Sequence, residues 1–287
     1  TCIANEDSQE KIYVILKNYH GDYWQKVIQG VTEAAEQIDA AVYLGGIDNE
    51  TDVSGQISLI EKAEQQGADG ILLAPANSNT LVKSCQKIKK ENIALVLIDS
   101  SINSDAYDTC YMTGNMEAGQ IAAREMLAML SEQGNTDQDP LEVGILLSSD
   151  SSQAMVNRVS GFLEYWAKYA PEKWTINQDI RLNGGDMENA QADVAALLTN
   201  NKKMKGLYGC NNTSTKGIAA VLMKRNRQDI VMAGFDLAEE TASLIRNPDY
   251  HGITLLQKQD QMAYEGMLSL DRQIRGETSE QKYIDTG

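Results

Sequence analysis

Short apolar runs alternate with amphipathic stretches along nearly the whole chain. Residues 12–16, IYVIL, are dense in β-branched and aromatic side chains and read as a buried parallel strand. A polar corner at 17–22 follows. Then Trp24, Val27, Ile28, Val31, Ala34, Ala35 and Ile38 recur at the spacing of one helix face, so the helix packs back on the strand. The rest of the chain repeats this unit. Strands are expected at 41–44, 70–74 and 94–98, with helices over 52–66 and 78–90 between them. A polar loop at 100–108 and a short strand at 110–113 break the rhythm, and a second series begins. Its helices are expected at 116–130, 154–169, 187–198, 215–224 and 238–246, and its strands at 143–147, 176–182, 206–210 and 230–235. A strand at 253–257, a helix at 261–274 and a short run at 282–284 complete the chain.

Strand and helix alternating in this way predict parallel sheets with helices on both faces, hence an α/β chain with two doubly wound domains. The first is expected to hold residues 1–113 plus 258–283, and the second residues 114–257 plus 284–287. A chain that crosses three times between domains makes a hinge and a cleft that can close.

Composition narrows the function classes. With 287 residues and 42% hydrophobic composition the chain can bury sizeable cores. No run approaches the roughly 18 apolar residues of a membrane span. A formal net charge of −16, with 25 scattered Lys and Arg, argues against a nucleic-acid partner, which needs a basic patch. Cys2, Cys85, Cys110 and Cys210 show no metal-site spacing, and Cys85 and Cys210 read as small buried hydrophobes. Cys2 opens an otherwise polar tail, TCIANEDSQEK, and is a candidate lipid-carrying residue for anchoring at the cell surface. No cofactor and no metal are expected. Asn135, Asp137 and Asp139 begin a calcium-loop pattern, but such a loop needs six to eight oxygens including a distal bidentate acid, and Pro140 interrupts this one. Only His20 and His251 are present, and GxSxG, P-loop and dinucleotide motifs are absent, so no enzyme is expected.

In open parallel sheets ligands bind beyond the carboxyl ends of the strands. That rule selects the corner at 17–24, Asp99 with Ser100, residues 148–150, Asn211 with Asn212, Asp236 and Gln257. Amides, hydroxyls and carboxylates with two aromatic faces suit a polyhydroxylated ligand, since the rings cover C–H faces while the polar groups take hydroxyls.

The ordered blocks VILKNYHGDYWQKVIQGVTEAA, ADGILLAPANS, IALVLIDSS, GNMEAGQIAA, NRVSGF, GLYGCNNTSTKGIAAVL, VMAGFDL and GITLLQKQDQMAYEGM cover essentially the whole chain. The series resembles the ribose/galactose-type periplasmic binding proteins, the type I solute receptors of ABC sugar importers. The resemblance implies that Tyr23 and Trp24 sandwich a sugar ring and that Asp99 and Asp236 are strand-end carboxylates facing it. It also implies that Arg158 forks onto hydroxyls and that Asn211 and Gln257 add polar contacts. Ser100 stands where ribose receptors carry arginine, Gly21 where a polar side chain is usual, and residues 182–185, LNGG, where an aromatic often sits. The ligand is therefore expected to be a monosaccharide, a polyol or a sugar-like signal, with ribose not favoured.

The resemblance further implies an extracytoplasmic monomer that delivers its ligand to an ABC permease. Other readings stay open at this point. The chain can be the sensing module of a signalling receptor, for autoinducer-2 or a sugar, or a glycoside-acting enzyme using Asp99 and Asp236. Residue by residue, Tyr23 and Trp24 also read as packing of the helix start, and Arg158 as a partner for a surface carboxylate such as Glu164. Asp99 and Asp236 also read as caps or loop acids.

Overall fold

The computed structural model describes residues 1–279 and 281–287. In chain order its elements are β1 (Cys2–Ala4), β2 (Lys11–Leu16), α1 (Asp22–Ala35), β3 (Ala41–Gly46), α2 (Val53–Gln65), β4 (Gly70–Leu73), α3 (Val82–Lys90), β5 (Ala94–Ile98) and β6 (Thr109–Met112). There follow α4 (Asn115–Glu132), β7 (Leu141–Leu147), α5 (Gln153–Tyr169), β8 (Trp174–Ile176), β9 (Arg181–Leu182), α6 (Met187–Asn200), β10 (Met204–Gly209) and α7 (Asn212–Lys224). The last are β11 (Val231–Phe235), α8 (Glu239–Arg246), β12 (Gly252–Leu255), α9 (Gln259–Ile274) and β13 (Tyr283–Asp285). No helix among the described residues is long and apolar enough to cross a membrane.

The chain forms two compact units. One comprises Thr1–Gly114, Ser151–Ala154 and Lys258–Gly287, the other Asn115–Asp150 and Met155–Gln257. In the first unit the sheet order is β1-β3-β2-β4-β5-β6-β13. Strands β4, β5 and β6 are buried along their whole length, as strands covered on both faces must be. One face carries a core of Ile12, Val14, Leu16, Val27, Val31, Leu72, Val96 and Ile98 under α1 and α9. The other carries Ile15, Ile60, Ile71, Leu73, Leu81, Ile88, Leu95 and Leu97 under α2 and α3. Helix α1 lies so close to α9 that a Cβ on Gly30 would collide with the Asp260 carbonyl.

In the second unit the order is β12-β11-β10-β7-β8, with β9 also pairing β7. Its core includes Leu146, Val194, Leu197, Leu207, Ile218, Leu222, Met232 and Leu244. In both sheets the strand order turns back beside the first strand of the series, β2 in one and β7 in the other. The strand ends around such a switch point are where α/β sheets present polar residues to ligands.

Four expectations are corrected. Residues 284–287 do not join the second domain, because Tyr283–Asp285 pairs in parallel with Thr109–Met112 in the first sheet. The start of the chain is not merely a polar tail, since Cys2–Ala4 adds an antiparallel edge strand on β3. The single strand expected at 176–182 is two short ones. Asn177 Oδ1 accepts from the Asp179 amide at 2.9 Å, and this Asx turn breaks the extended run. Finally, α3 starts at Val82 rather than at residue 78, because Asn77 Oδ1 takes the amides of Asn79 and Thr80 at 3.0 and 2.8 Å.

Candidate functional site

Strand β2 ends at Leu16, and the next side chain, Lys17, is 3% exposed. A buried ammonium needs a partner, and Lys17 Nζ lies 2.7 Å from Asp99 Oδ2. Tyr23, in the first turn of α1, donates its hydroxyl to Asp99 Oδ1 at 2.6 Å. Trp24 sets its ring edge-on to Tyr23 at 5.0 Å, and the Lys17 ammonium sits 6.0 Å from the Trp24 ring centre. Asp99 follows the last residue of β5 at φ 68°, a left-handed conformation that few side chains tolerate. The amide of Asp99 donates to the Tyr111 carbonyl at 3.0 Å, which holds that conformation. The first cluster is thus a lysine, an aspartate and two aromatics at the ends of β2 and β5.

The neighbouring loops are fixed by amides. Gln56 is fully buried, donating to the Ala74 carbonyl and accepting from the Ala76 amide, both at 2.8 Å, so the loop after β4 is pinned. Asn18 Oδ1 accepts from the His20 amide at 2.9 Å. Gly21, at φ 89°, begins α1 without a side-chain cap.

In the second unit the centre is Arg158 on α5, 1% exposed and among the largest fully buried side chains. Its Nε donates to Asn115 Oδ1 at 2.7 Å, one terminal nitrogen to the Cys210 carbonyl at 2.8 Å, and the other to Gln257 Oε1 at 2.5 Å. The guanidinium carbon lies 3.9 Å from the centre of the Phe235 ring, a cation–π contact in a dry setting. Gln257 passes the link on, donating to both oxygens of Asp236 at 3.1 Å. Asp236 follows β11 at φ 66°, with its amide on the Leu255 carbonyl at 2.8 Å and Thr254 Oγ1 on its own carbonyl at 2.6 Å.

Two glycines make the Arg158 position possible. A Cβ on Gly119 would collide with the Arg158 carbonyl, and one on Gly161 with the Met116 carbonyl. The backbones of α4 and α5 therefore touch, bringing Asn115 within reach of the guanidinium. Beneath it, the Tyr208 hydroxyl donates to the Arg158 carbonyl at 3.4 Å, and burial pushes that phenol well above its usual pKa. The Cys210 thiol is pushed up to about 12 by burial, against the pull of the Arg158 charge.

The structure thus brings Tyr23, Trp24 and Asp99 together in one unit, and Arg158, Asp236 and Gln257 in the other. Arg158 pairs with interior groups of its own unit, the alternative partner Glu164 not being among them. Tyr23 and Trp24 are 6% and 5% exposed and belong to the core as well as to the cluster, so their packing role is real. Asn211 is the N-cap of α7, accepting from the Ser214 amide at 3.2 Å. Ser100 stands apart from Asp99, facing Ser152 and the Ala154 amide at 3.2 Å each. Asp139 turns its carboxylate to the amide and hydroxyl of Thr136, both at 2.8 Å, and closes a tight turn. Lys17 and Asn115 were not selected by strand-end reasoning as individual site residues. For Lys17 the available signal is a lysine directly after a buried apolar run; for Asn115 there is none short of knowing the α4–α5 crossing.

The comparisons with known proteins agree with one another. A family model described as "Periplasmic binding protein domain" matches residues 12–278. The D-apiose import binding protein of Actinobacillus succinogenes is 24% identical over 265 residues, 92% of this chain and 82% of that protein. A carbohydrate transporter solute binding protein from Agrobacterium radiobacter, solved in complex with D-arabinose, is 25% identical with a TM-score of 0.89, covering 97% of this chain and 93% of that one. A solute binding protein from Agrobacterium vitis with bound D-fucose is 26% identical with a TM-score of 0.86, covering 96% and 93%.

Proposed function

The chain belongs to the periplasmic binding protein domain family, and from that premise we propose that it is an extracytoplasmic receptor for a sugar or sugar-like polyol, which it delivers to an ABC permease. One observation carries the reading. Each unit ends a central strand in a left-handed aspartate, Asp99 or Asp236, set among aromatic and polar side chains at the strand ends. Such backbone strain concentrates where function demands it, and a carboxylate beside ring faces is the chemistry that takes vicinal hydroxyls.

The buried cations support a neutral ligand over an anionic one. Lys17 is matched by Asp99 directly, and Arg158 by Asp236 through Gln257. Related proteins with D-apiose, xylitol or D-ribose/D-allose in their names belong to the same chemical class. Binding rather than turnover is the activity in this reading.

A thermal-shift and calorimetric screen over D-arabinose, D-ribose, D-xylose, D-apiose, D-fucose and xylitol tests it. At a hundred times its dissociation constant a true ligand adds about 2.7 kcal/mol of stability. Asp236→Asn, which keeps the left-handed backbone, and Tyr23→Leu are each expected to abolish that gain. A screen in which no neutral sugar stabilises the chain, or in which a sugar is converted to product, overturns the proposal.

A further inference from the structure

Helix α5 starts at Gln153, and its first residues lie in the segment Ser151–Ala154 that belongs to the first unit. The first amides of any helix lack intrahelical acceptors and must find them elsewhere. Here two of those acceptors come from loops far away in sequence. The Gln153 amide donates to Ser78 Oγ at 2.8 Å, and the Ala154 amide donates to Ser100 Oγ at 3.2 Å. Ser78 lies on the loop after β4, and Ser100 on the loop after β5, one residue beyond Asp99.

The grip is completed by three more contacts. The Ser78 amide donates to the Ser151 carbonyl at 2.8 Å, Ser78 Oγ donates to the Ser101 carbonyl at 2.7 Å, and the Ser100 and Ser152 hydroxyls lie 3.2 Å apart. Ser100 and Ser152 are completely buried and Ser78 is 2% exposed, so no solvent competes for these hydroxyls. The position singled out in the sequence as a sugar contact is therefore occupied with holding a helix.

We propose that Ser78 and Ser100 are positioning residues that cap α5 from the loops after β4 and β5, and that Ser100 acts on the ligand only through the placement of this helix. The helix carries Arg158 one turn further on, and Arg158 holds Gln257, which holds Asp236. A small loss of order in the first turn of α5 is thereby passed to the second cluster. The effect on affinity rests on the binding function proposed above, but the capping itself does not.

Amide hydrogen exchange by NMR on the full chain reads the caps directly. Ser78→Ala is expected to speed exchange at Gln153, and Ser100→Ala at Ala154, each by roughly tenfold, the usual worth of a helix cap. Amides in β10 serve as the reference for an intact fold. Ser100→Cys keeps the volume with a weaker acceptor, shows the same change in smaller measure, and serves in place of Ser100→Ala should that variant not fold. Unchanged exchange at both amides overturns the proposal.

Calorimetric titration with D-arabinose, D-ribose, D-xylose and xylitol supplies the second arm. A positioning role predicts that Ser100→Ala weakens every sugar that binds by the same factor. A loss that differs by tenfold or more between two stereoisomers makes Ser100 a ligand contact and overturns the proposal. If neither these four nor D-apiose and D-fucose bind the unmodified protein, the sugar reading fails, and the exchange arm alone decides the capping.

Discussion

The aspartates that end β5 and β11 share a backbone state and differ in their company. Asp99 and Asp236 sit at φ 68° and 66°, and each has its amide tied to a neighbouring strand end. Asp99 is met at once by a cation, the Lys17 ammonium at 2.7 Å, and by the Tyr23 phenol. Asp236 accepts from the amide of Gln257, which in turn accepts from the Arg158 guanidinium. A directly paired buried carboxylate loses its compensation in one step when its partner is removed, whereas a relayed one is buffered by the amide between. The two clusters are therefore expected to fail differently.

The largest effect is expected at Lys17. Lys17→Met keeps the apolar stem beside Trp24 but takes the cation from a carboxylate that is 6% exposed. Removing one member of a buried pair typically costs about 3–5 kcal/mol, to be read from urea unfolding. Adding Asp99→Asn removes the stranded charge while keeping a side chain that tolerates the left-handed backbone. The double variant should regain most of the loss. If it is no more stable than Lys17→Met, the pair is not the source of the effect.

A middle-sized effect is expected at Gln257. Gln257→Leu preserves volume but removes the acceptor of one Arg158 nitrogen and the donor to both Asp236 oxygens, a cost of about 1–3 kcal/mol. The ranking is the sharper test. Should Gln257→Leu unfold at lower urea than Lys17→Met, the relay is not a buffer, and the contrast between the clusters falls.

The α/β alternation was legible because buried parallel strands are continuous apolar runs, and the helices between them keep one apolar face. What escaped were features decided by particular pairings, distant or local, that periodicity does not carry. Tyr283–Asp285 has too little apolar content to declare which sheet it joins; it pairs with β6 in the sheet against whose core the preceding helix α9 packs. The break at Asn177 turns on one side chain accepting from its own backbone two residues on. The strand-end rule picks out Asp99, Asp236 and Gln257 because it concerns where strands stop, and all three lie just past β5, β11 and β12. It did not separate Ser100 from Asp99, since adjacent residues past a strand end point to different neighbours, and only the arrival of the α5 amides gives Ser100 its partner. Lys17 escaped for the opposite reason. A lysine in a polar corner reads as solvated until the carboxylate that draws it inward is located.

The smallest effect is kinetic and concerns the thiols. Burial pushes Cys85, Cys110 and Cys210 up to about 12. At about pH 8 such a thiol is ionised to roughly one part in ten thousand, and alkylation needs the thiolate. Cys2 is only half-buried on its edge strand. Iodoacetamide is therefore expected to label Cys2 in the native protein and the other three only after unfolding, as peptide mass spectrometry would record. The order among the slow three bears on the comparison. Cys210 alone lies under Arg158, whose charge favours the thiolate while burial opposes it. If burial dominates, Cys210 reacts no faster than Cys85 and Cys110. If it reacts first, the Arg158 charge is less neutralised by the chain through Gln257 to Asp236 than the hydrogen-bond geometry implies, and the relayed cluster is the looser of the two.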